Sequence, residues 1–159
     1  MEMMKQDKFN FMLDRRRLLT LGTAGLVCAA IPMSASAEAA DADKAIRDLF
    51  GDGELNEGRV TVDLPPIAEN GNSVAIKVTV DSPMTENDHV RRIAIISPRN
   101  PLAEVAEFHL GPRAGKAEVA TRIRMAGTQT IRAVAEMSDG SLWLGKASTV
   151  VTLAACIIG

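Results

Sequence analysis

Few side chains in this 159-residue chain could do chemistry: His89, His109 and the two cysteines, Cys28 and Cys156. Two imidazoles and a thiolate could form a three-ligand metal set, and a thiol beside an imidazole is the minimum for nucleophilic catalysis. The spacing favours neither. The histidines lie in no ligand-spaced motif, and structural zinc usually takes four ligands. Alternation along a strand around Phe108 turns His109 away from Ala106, Phe108 and Leu110. Both histidines therefore read as surface side chains, and no metal is expected. A catalytic thiol must be held within reach of its base. Cys156, with only Ile157, Ile158 and Gly159 after it, lies where a chain is least constrained. No nucleophile elbow, phosphate loop or carboxylate pair is present, since the odd spacing of Glu104 and Glu107 points them to opposite faces of a strand. Arg91-Arg92 and Arg122/Arg124 read as solvated strand positions, the alternative being docking contacts for an acidic partner or an anionic sulfur group.

The first 37 residues read as a transport signal. Asp14-Arg15-Arg16-Arg17-Leu18-Leu19 fits a twin-arginine pattern, and an apolar run from Leu18 to Ile31 follows. That run is too short for the ~20 residues of a membrane span and is broken by Pro32. Ala35-Ser36-Ala37 supplies a small-residue cleavage site, so the mature chain is expected to start at Glu38 in a bacterial periplasm, with no stable membrane insertion. Cys28 would leave with the leader. The same export signal argues against reading Cys156-Ile157-Ile158-Gly159 as a prenylation box, because that modification is cytosolic and eukaryotic.

Residues 38–159 make one domain of ordinary size. They hold 13 basic and 17 acidic side chains, a net charge of −4 that gives no electrostatic reason to bind nucleic acid. Phe50, Phe108 and Trp143 are too few aromatics for a base-stacking platform. A single thiol excludes an internal disulfide in the mature chain.

The elements that must position these residues are mostly strands. A short helix is predicted where Ala42, Ala45, Ile46, Leu49 and Phe50 fall at helical spacing, capped by Asp41 or Asp43 and ended by Gly51. The period then switches to two: Val74, Ile76, Val78 and Val80 alternate with Ala75, Lys77, Thr79 and Asp81. Ala117, Val119, Thr121, Ile123 and Met125 alternate with Lys116, Glu118, Ala120, Arg122 and Arg124. Less regular strands are predicted over 59–64, 90–97, 105–110, 130–137 and 142–153. Pro65-Pro66, Asn70-Gly71, Pro98 with Pro101, Gly111-Pro112, Gly127 and Asp139-Gly140 separate them, the last as a hairpin turn. The predicted class is all-β: an immunoglobulin-like antiparallel β-sandwich with a short N-terminal helix.

Four segments carry a resemblance to a known family: Asn70-Gly71-Asn72-Ser73-Val74, Val80-Asp81-Ser82-Pro83-Met84, Phe108-His109-Leu110-Gly111-Pro112-Arg113-Ala114 and Glu136-Met137-Ser138-Asp139-Gly140. With the twin-arginine leader and the late cysteine, the chain resembles the SoxY family of sulfur carriers. The resemblance implies a protein without catalytic activity or cofactor, whose Cys156 is the covalent attachment point for thiosulfate-derived sulfur. It also implies a heterodimer with a SoxZ-like β-sandwich subunit that has no signal of its own. The transient partners would be a c-type cytochrome complex (SoxAX), a SoxB-type sulfate-releasing hydrolase and a sulfur dehydrogenase. The family arm is usually Gly-Gly-Cys-Gly-Gly, whereas Ala154-Ala155 and Ile157-Ile158 flank the cysteine here, and alanine and isoleucine are stiffer than glycine. Residues 154–159 are the expected arm, spanning at most ~20 Å at ~3.3–3.6 Å per residue.

Two other readings compete. In one, an exported interaction module adds its Ile157-Ile158 tail to a partner's sheet, and the thiol is a tether or incidental. In the other, a periplasmic thiol enzyme or redox sensor, the sequence offers no base or cation near Cys156 to lower its pKa.

Overall fold

The computed structural model describes residues 33–155, and all of these but Met33 belong to the unit that begins at Ser34. Helix α1, Met33–Phe50, is longer than its apolar spacing predicts. It reaches back through Ala35, Ala37, Ala39 and Ala40, because alanine is the strongest helix former. It therefore spans the expected cleavage point, and Asp41 and Asp43 lie inside it rather than at a cap. Asp43 instead pairs with Arg132. Among the residues whose side chains are described, α1 buries Ala42 and Ile46 and partly buries Ala45, Leu49 and Phe50. The other end matches expectation: Gly51 has φ +76°, and its N–H reaches the Arg47 carbonyl at 2.8 Å. No helix among the described residues is long and apolar enough to cross a membrane.

The strands are β1 (Leu55–Glu57), β2 (Val60–Asp63), β3 (Ile67–Asn70), β4 (Val74–Val80), β5 (Val90–Ile96), β6 (Glu104–His109), β7 (Glu118–Ile123), β8 (Gln129–Met137) and β9 (Leu142–Leu153), with a 3₁₀ turn at Pro112–Ala114. They form a six-stranded sheet in the order β1-β9-β8-β5-β6, with β3 also on β9, and a three-stranded sheet β2-β4-β7. The predicted β-sandwich is thus observed. Val74, Ile76, Val78, Val80, Ile123 and Met125 of the small sheet meet Ile93, Ile95, Ile131, Ala133 and Ala135 of the large one.

The large sheet has a second buried face. Ala42 and Ile46 of α1 pack on Ala94, Ile96, Val134, Leu142 and Leu144. This explains why β5 and β8 read as less regular strands: residues covered on both faces lose the alternation that marks a half-wet strand. β4 and β7 keep it, with Lys77 and Arg122 on their exposed face.

Two strands escaped the sequence pattern. β1 and β3 run parallel to β9, with Leu55 opposite Leu142 and Ile67 opposite Val150. Each is too short to show a period: β1 takes the edge of β9 opposite β8 at Leu142–Leu144, and β3 pairs with the stretch of β9 beyond Thr149, where the pairing with β8 has ended. The β8–β9 hairpin follows its Asp139-Gly140 signal, with Gly140 at φ +85°. Asp139 Oδ1 accepts from the side chain and backbone N–H of Ser141, and these bonds hold its pKa below the usual carboxylate value.

Arg92 departs from the solvated position expected of it. Its side chain is 22% exposed and joins four elements. It donates to Glu136 on β8 (2.8 Å), Glu107 on β6 (3.0 Å) and the Leu49 carbonyl at the end of α1 (3.2 Å), and it stacks 4.2 Å from the Phe50 ring centre. Burial alone would lower its pKa, but the hydrogen bonds and charges of Glu107 and Glu136 outweigh that and raise it. The cluster anchors the helix C-terminus, where a cation is also favoured by the backbone dipole.

Two substitutions test this framework. Arg92→Met leaves half-buried Glu107 without its arginine and Glu136 with only the longer contact to Arg91, and should cost about 1–3 kcal/mol in chemical denaturation, less than for a fully buried pair. Amide exchange at Ile46–Phe50 should accelerate with it. A Cβ at Gly145 would lie 2.6 Å from the Val60 carbonyl oxygen where β2 crosses β9. Gly145→Ala should therefore destabilise by about 1–3 kcal/mol, whereas Gly111→Ala, in extended backbone with nothing within 4 Å, should change stability by less than about 0.5 kcal/mol.

Candidate functional site

Cys156, Ile157, Ile158 and Gly159 lie outside the described residues. The backbone that delivers Cys156 is described through Ala155, and it is firmly held. Beyond the last residue of β9, Ala155 is 6% exposed, and its N–H donates to the Met125 carbonyl at 3.0 Å. Gly71 completes the clamp: its N–H donates to the Leu153 carbonyl (2.7 Å), and its carbonyl accepts from Met125 N–H (2.8 Å). Of the expected arm 154–159, then, Ala154 is exposed while Ala155 is packed into the sandwich.

The clamp has a steric condition. A Cβ on Gly71 would fall 2.5 Å from the Met125 carbonyl oxygen and 2.9 Å from the Ala155 nitrogen. The sequence marks Gly71 as a turn glycine, but what requires it is this close approach of three backbones. Asn70 stabilises the same turn, its Oδ1 accepting from the backbone N–H and side-chain amide of Asn72.

Two further side chains build this end of the sandwich. Asn100 spans the 124–126 backbone, donating to the Arg124 carbonyl (2.9 Å) and accepting from Ala126 N–H (3.0 Å). Gln129 is 4% exposed, and its Oε1 accepts from Ser97 Oγ (2.9 Å) and Arg99 N–H (3.0 Å). Its amide donates to the Gly127 carbonyl at 3.3 Å. Thr128 Oγ1 accepts from Val151 N–H at 3.0 Å, which ties the assembly to β9. Neither Asn100 nor Gln129 has a sequence signature, since the partners that join them to other segments, Arg124 and Ala126 for one and Ser97 and Arg99 for the other, lie 24 to 32 residues away. An apolar strip borders the same strand: Ile67, Val150 and Leu153 are 63%, 52% and 61% exposed.

The histidines lie elsewhere. His89 Nδ1 sits 3.0 Å from the Thr85 carbonyl oxygen, and His109, 74% exposed at the end of β6, lies 3.3 Å from Glu107. Among the described residues no group of three His, Cys, Asp or Glu side chains is placed to hold a metal ion. Cys156, the expected attachment point, follows the held Ala155 by a single peptide bond.

Comparison with known proteins agrees with this geometry. The family described as "Sulfur oxidation protein SoxY" matches residues 46–156, so the matched segment runs through the whole sandwich to Cys156. The structure of the sulfur carrier protein SoxY from Chlorobium limicola f thiosulfatophilum superposes with a TM-score of 0.62 at 33% identity, covering 72% of this chain and 99% of that one. A superoxide reductase (neelaredoxin) from Ignicoccus hospitalis has a TM-score of 0.52 at 13% identity, over 59% of this chain and 80% of its own. A putative superoxide reductase from Thermotoga maritima has a TM-score of 0.50 at 22% identity, over 62% and 87%. At those identities the two share the sandwich fold alone. No match was found among curated proteins. The match over 46–156 and the likeness to the Chlorobium protein place the chain in one family: it belongs to the SoxY sulfur oxidation proteins.

Proposed function

We propose that this protein is a periplasmic sulfur carrier whose Cys156 binds thiosulfate-derived sulfur covalently and presents it to partner enzymes. The family match extending to Cys156 carries this reading, and the clamp on Ala155 supports it. In the loading step the Cys156 thiol loses its proton to solvent and forms a sulfur–sulfur bond to the sulfane sulfur of thiosulfate. The two electrons released pass to a c-type cytochrome. The product is an S-thiosulfonate, Cys–S–S–SO₃⁻. A hydrolase then adds water at the sulfonate sulfur and breaks the outer S–S bond, so that sulfate leaves and a persulfide remains. The carrier supplies the attachment point, and the chemistry belongs to its partners.

The anchor at Ala155 defines what those partners must do. Backbone hydrogen bonds hold the chain to the residue before the thiol, so a partner cleft must accept the end of the sandwich as well as the cysteine. In this reading the Ala-Ala flank replaces the freedom of a glycine arm with a defined point of presentation. Export by the twin-arginine route with a leaderless β-sandwich subunit completes the proposal.

The exposed strip of Ile67, Val150 and Leu153 favours a second reading, in which assembly with a partner is the main task and the residues after Ala155 dock on it. Two variants separate the readings. In cells oxidising thiosulfate, Cys156→Ser should abolish that oxidation while leaving the heterodimer intact on co-purification. Deletion of 156–159 should do the same. Thiosulfate oxidation that survives Cys156→Ser would defeat the carrier reading, and loss of the heterodimer on deletion would establish the docking one.

A further inference from the structure

Strand β7 closes the small sheet, and its outer edge has no partner strand among the described residues. The pairing with β4 fixes which backbone groups face that edge. Val80 N–H donates to the Ala117 carbonyl at 2.8 Å, and Val78 stands opposite Val119, Ile76 opposite Thr121 and Val74 opposite Ile123. Because residues along an antiparallel pair alternate between bonding inward and facing away, the N–H and C=O groups of Glu118, Ala120 and Arg122 point outward. All three residues are exposed. Edge strands are commonly defended by charge, since an open ladder invites another chain to pair with it. On this edge the charges have opposite signs and lie symmetrically about a small residue.

That symmetry makes the edge complementary to itself. In an antiparallel pair of two β7 strands with Ala120 opposite Ala120 on a two-fold axis, Glu118 of each copy stands opposite Arg122 of the other, with Cα atoms about 5.5 Å apart. Facing residues in such a pair exchange both backbone hydrogen bonds. On the opposite face, half-buried Val119 meets half-buried Thr121. A slip of two residues is worse in either direction. One way sets Lys116 opposite Arg122, and the other sets Arg122 opposite Ala120 and leaves Glu118 to Arg124, past the end of the strand. In the symmetric register the like-charged Lys116 and Arg124 face each other only beyond the strand ends, where both are exposed. Arg122 is positioned in advance: its Nε donates to Ser73 Oγ (2.7 Å) and its Nη2 to the Ser73 carbonyl (3.3 Å). Neither it nor Glu118 pairs with an opposite charge among the described residues. Strand β6, at an edge of the large sheet, lacks this arrangement. Leu110 N–H donates inward to the Arg91 carbonyl, so the outward groups of that strand include those of Glu107 and His109, and self-pairing about its centre would set Glu107 against Glu107.

We propose that the β7 edge is a docking surface for a second copy of this chain, joining two small sheets into one continuous sheet across a two-fold axis. Main-chain hydrogen bonds supply the affinity, and the Glu118–Arg122 pairs set the register. The shared ladder is antiparallel, so the two Met125–Ala155 clamps stand at opposite ends of the joined ribbon. The association is separate from the carrier reading and does not depend on it.

Charge reversal tests the register on the full mature chain, kept under reductant so that no disulfide contributes. Sedimentation velocity over a range of concentrations should show a reversible dimer. Glu118→Arg alone sets arginine against arginine on both sides of the axis, and Arg122→Glu alone sets glutamate against glutamate, so each should weaken the dimer roughly tenfold. Mixing the two single variants should restore association, because each copy then carries the charges that the other lacks. Ala120→Pro should abolish the dimer while leaving the thermal midpoint nearly unchanged, since that N–H takes no part in the β4 ladder. A wild-type chain that stays monomeric, single reversals that dimerise as well as wild type, or a mixture that stays apart overturns the inference. So does loss of a co-purified partner subunit on Ala120→Pro, which would assign the edge to that subunit instead. No arm of the experiment reads thiosulfate oxidation, so failure here and failure of the carrier reading are told apart.

Discussion

Strand β9 is the constraint on which the rest of the molecule depends. Its twelve residues pair antiparallel with β8 along most of their length, and they support β1 at one end and β3 at the other. It passes beneath β2 at Gly145, where only a missing side chain allows the approach, and runs out into the Ala155 clamp. The strand therefore carries the register of the sandwich to the residue before the thiol. Backbone hydrogen bonds fix direction better than side-chain packing does, because each donor and acceptor lies on a main chain already committed to its sheet. Ala155, the residue before the cysteine, is thereby held at a definite point on the molecule.

The helix has a different job. By covering the second face of the large sheet, α1 buries Ala94 and Ile96 of β5 and Val134 of β8, and Arg92 secures the helix end by joining Glu107, Glu136, Leu49 and Phe50. A cation shared by three strands and a helix is a specificity device: it is satisfied only when all four elements are in register. One end of the protein thus uses paired charge to close the fold. The other uses neutral partners, Arg99 donating to the Thr128 carbonyl and Arg122 to Ser73.

Much of this was legible in the sequence. The alternation in β4 and β7, the Asp139-Gly140 hairpin, the Gly51 stop and the full span of β9 all have local causes, so a local pattern reveals them. The misses share one physical origin. β1 and β3 are stabilised by an edge of β9 rather than by their own period, and the alanines ahead of Asp41 extended α1 past its expected cap. Arg92 looked solvated because its partners come from three other elements. Gly71 was visible as a turn residue, but its close contact with Met125 and Ala155 could not be seen in a linear reading. The bonds from Gln129 to Arg99 N–H and from Asn100 to the Arg124 carbonyl are equally invisible in a linear reading, because they join loops far apart in the chain.

The most direct measurement is the mass of the C-terminal peptide from protein isolated out of cells oxidising thiosulfate, taken before and after reduction. The account predicts thiosulfonate or persulfide adducts on Cys156 that reductant removes, leaving the free thiol. A native protein that carries only free thiol at Cys156, or only a simple disulfide dimer, would contradict it.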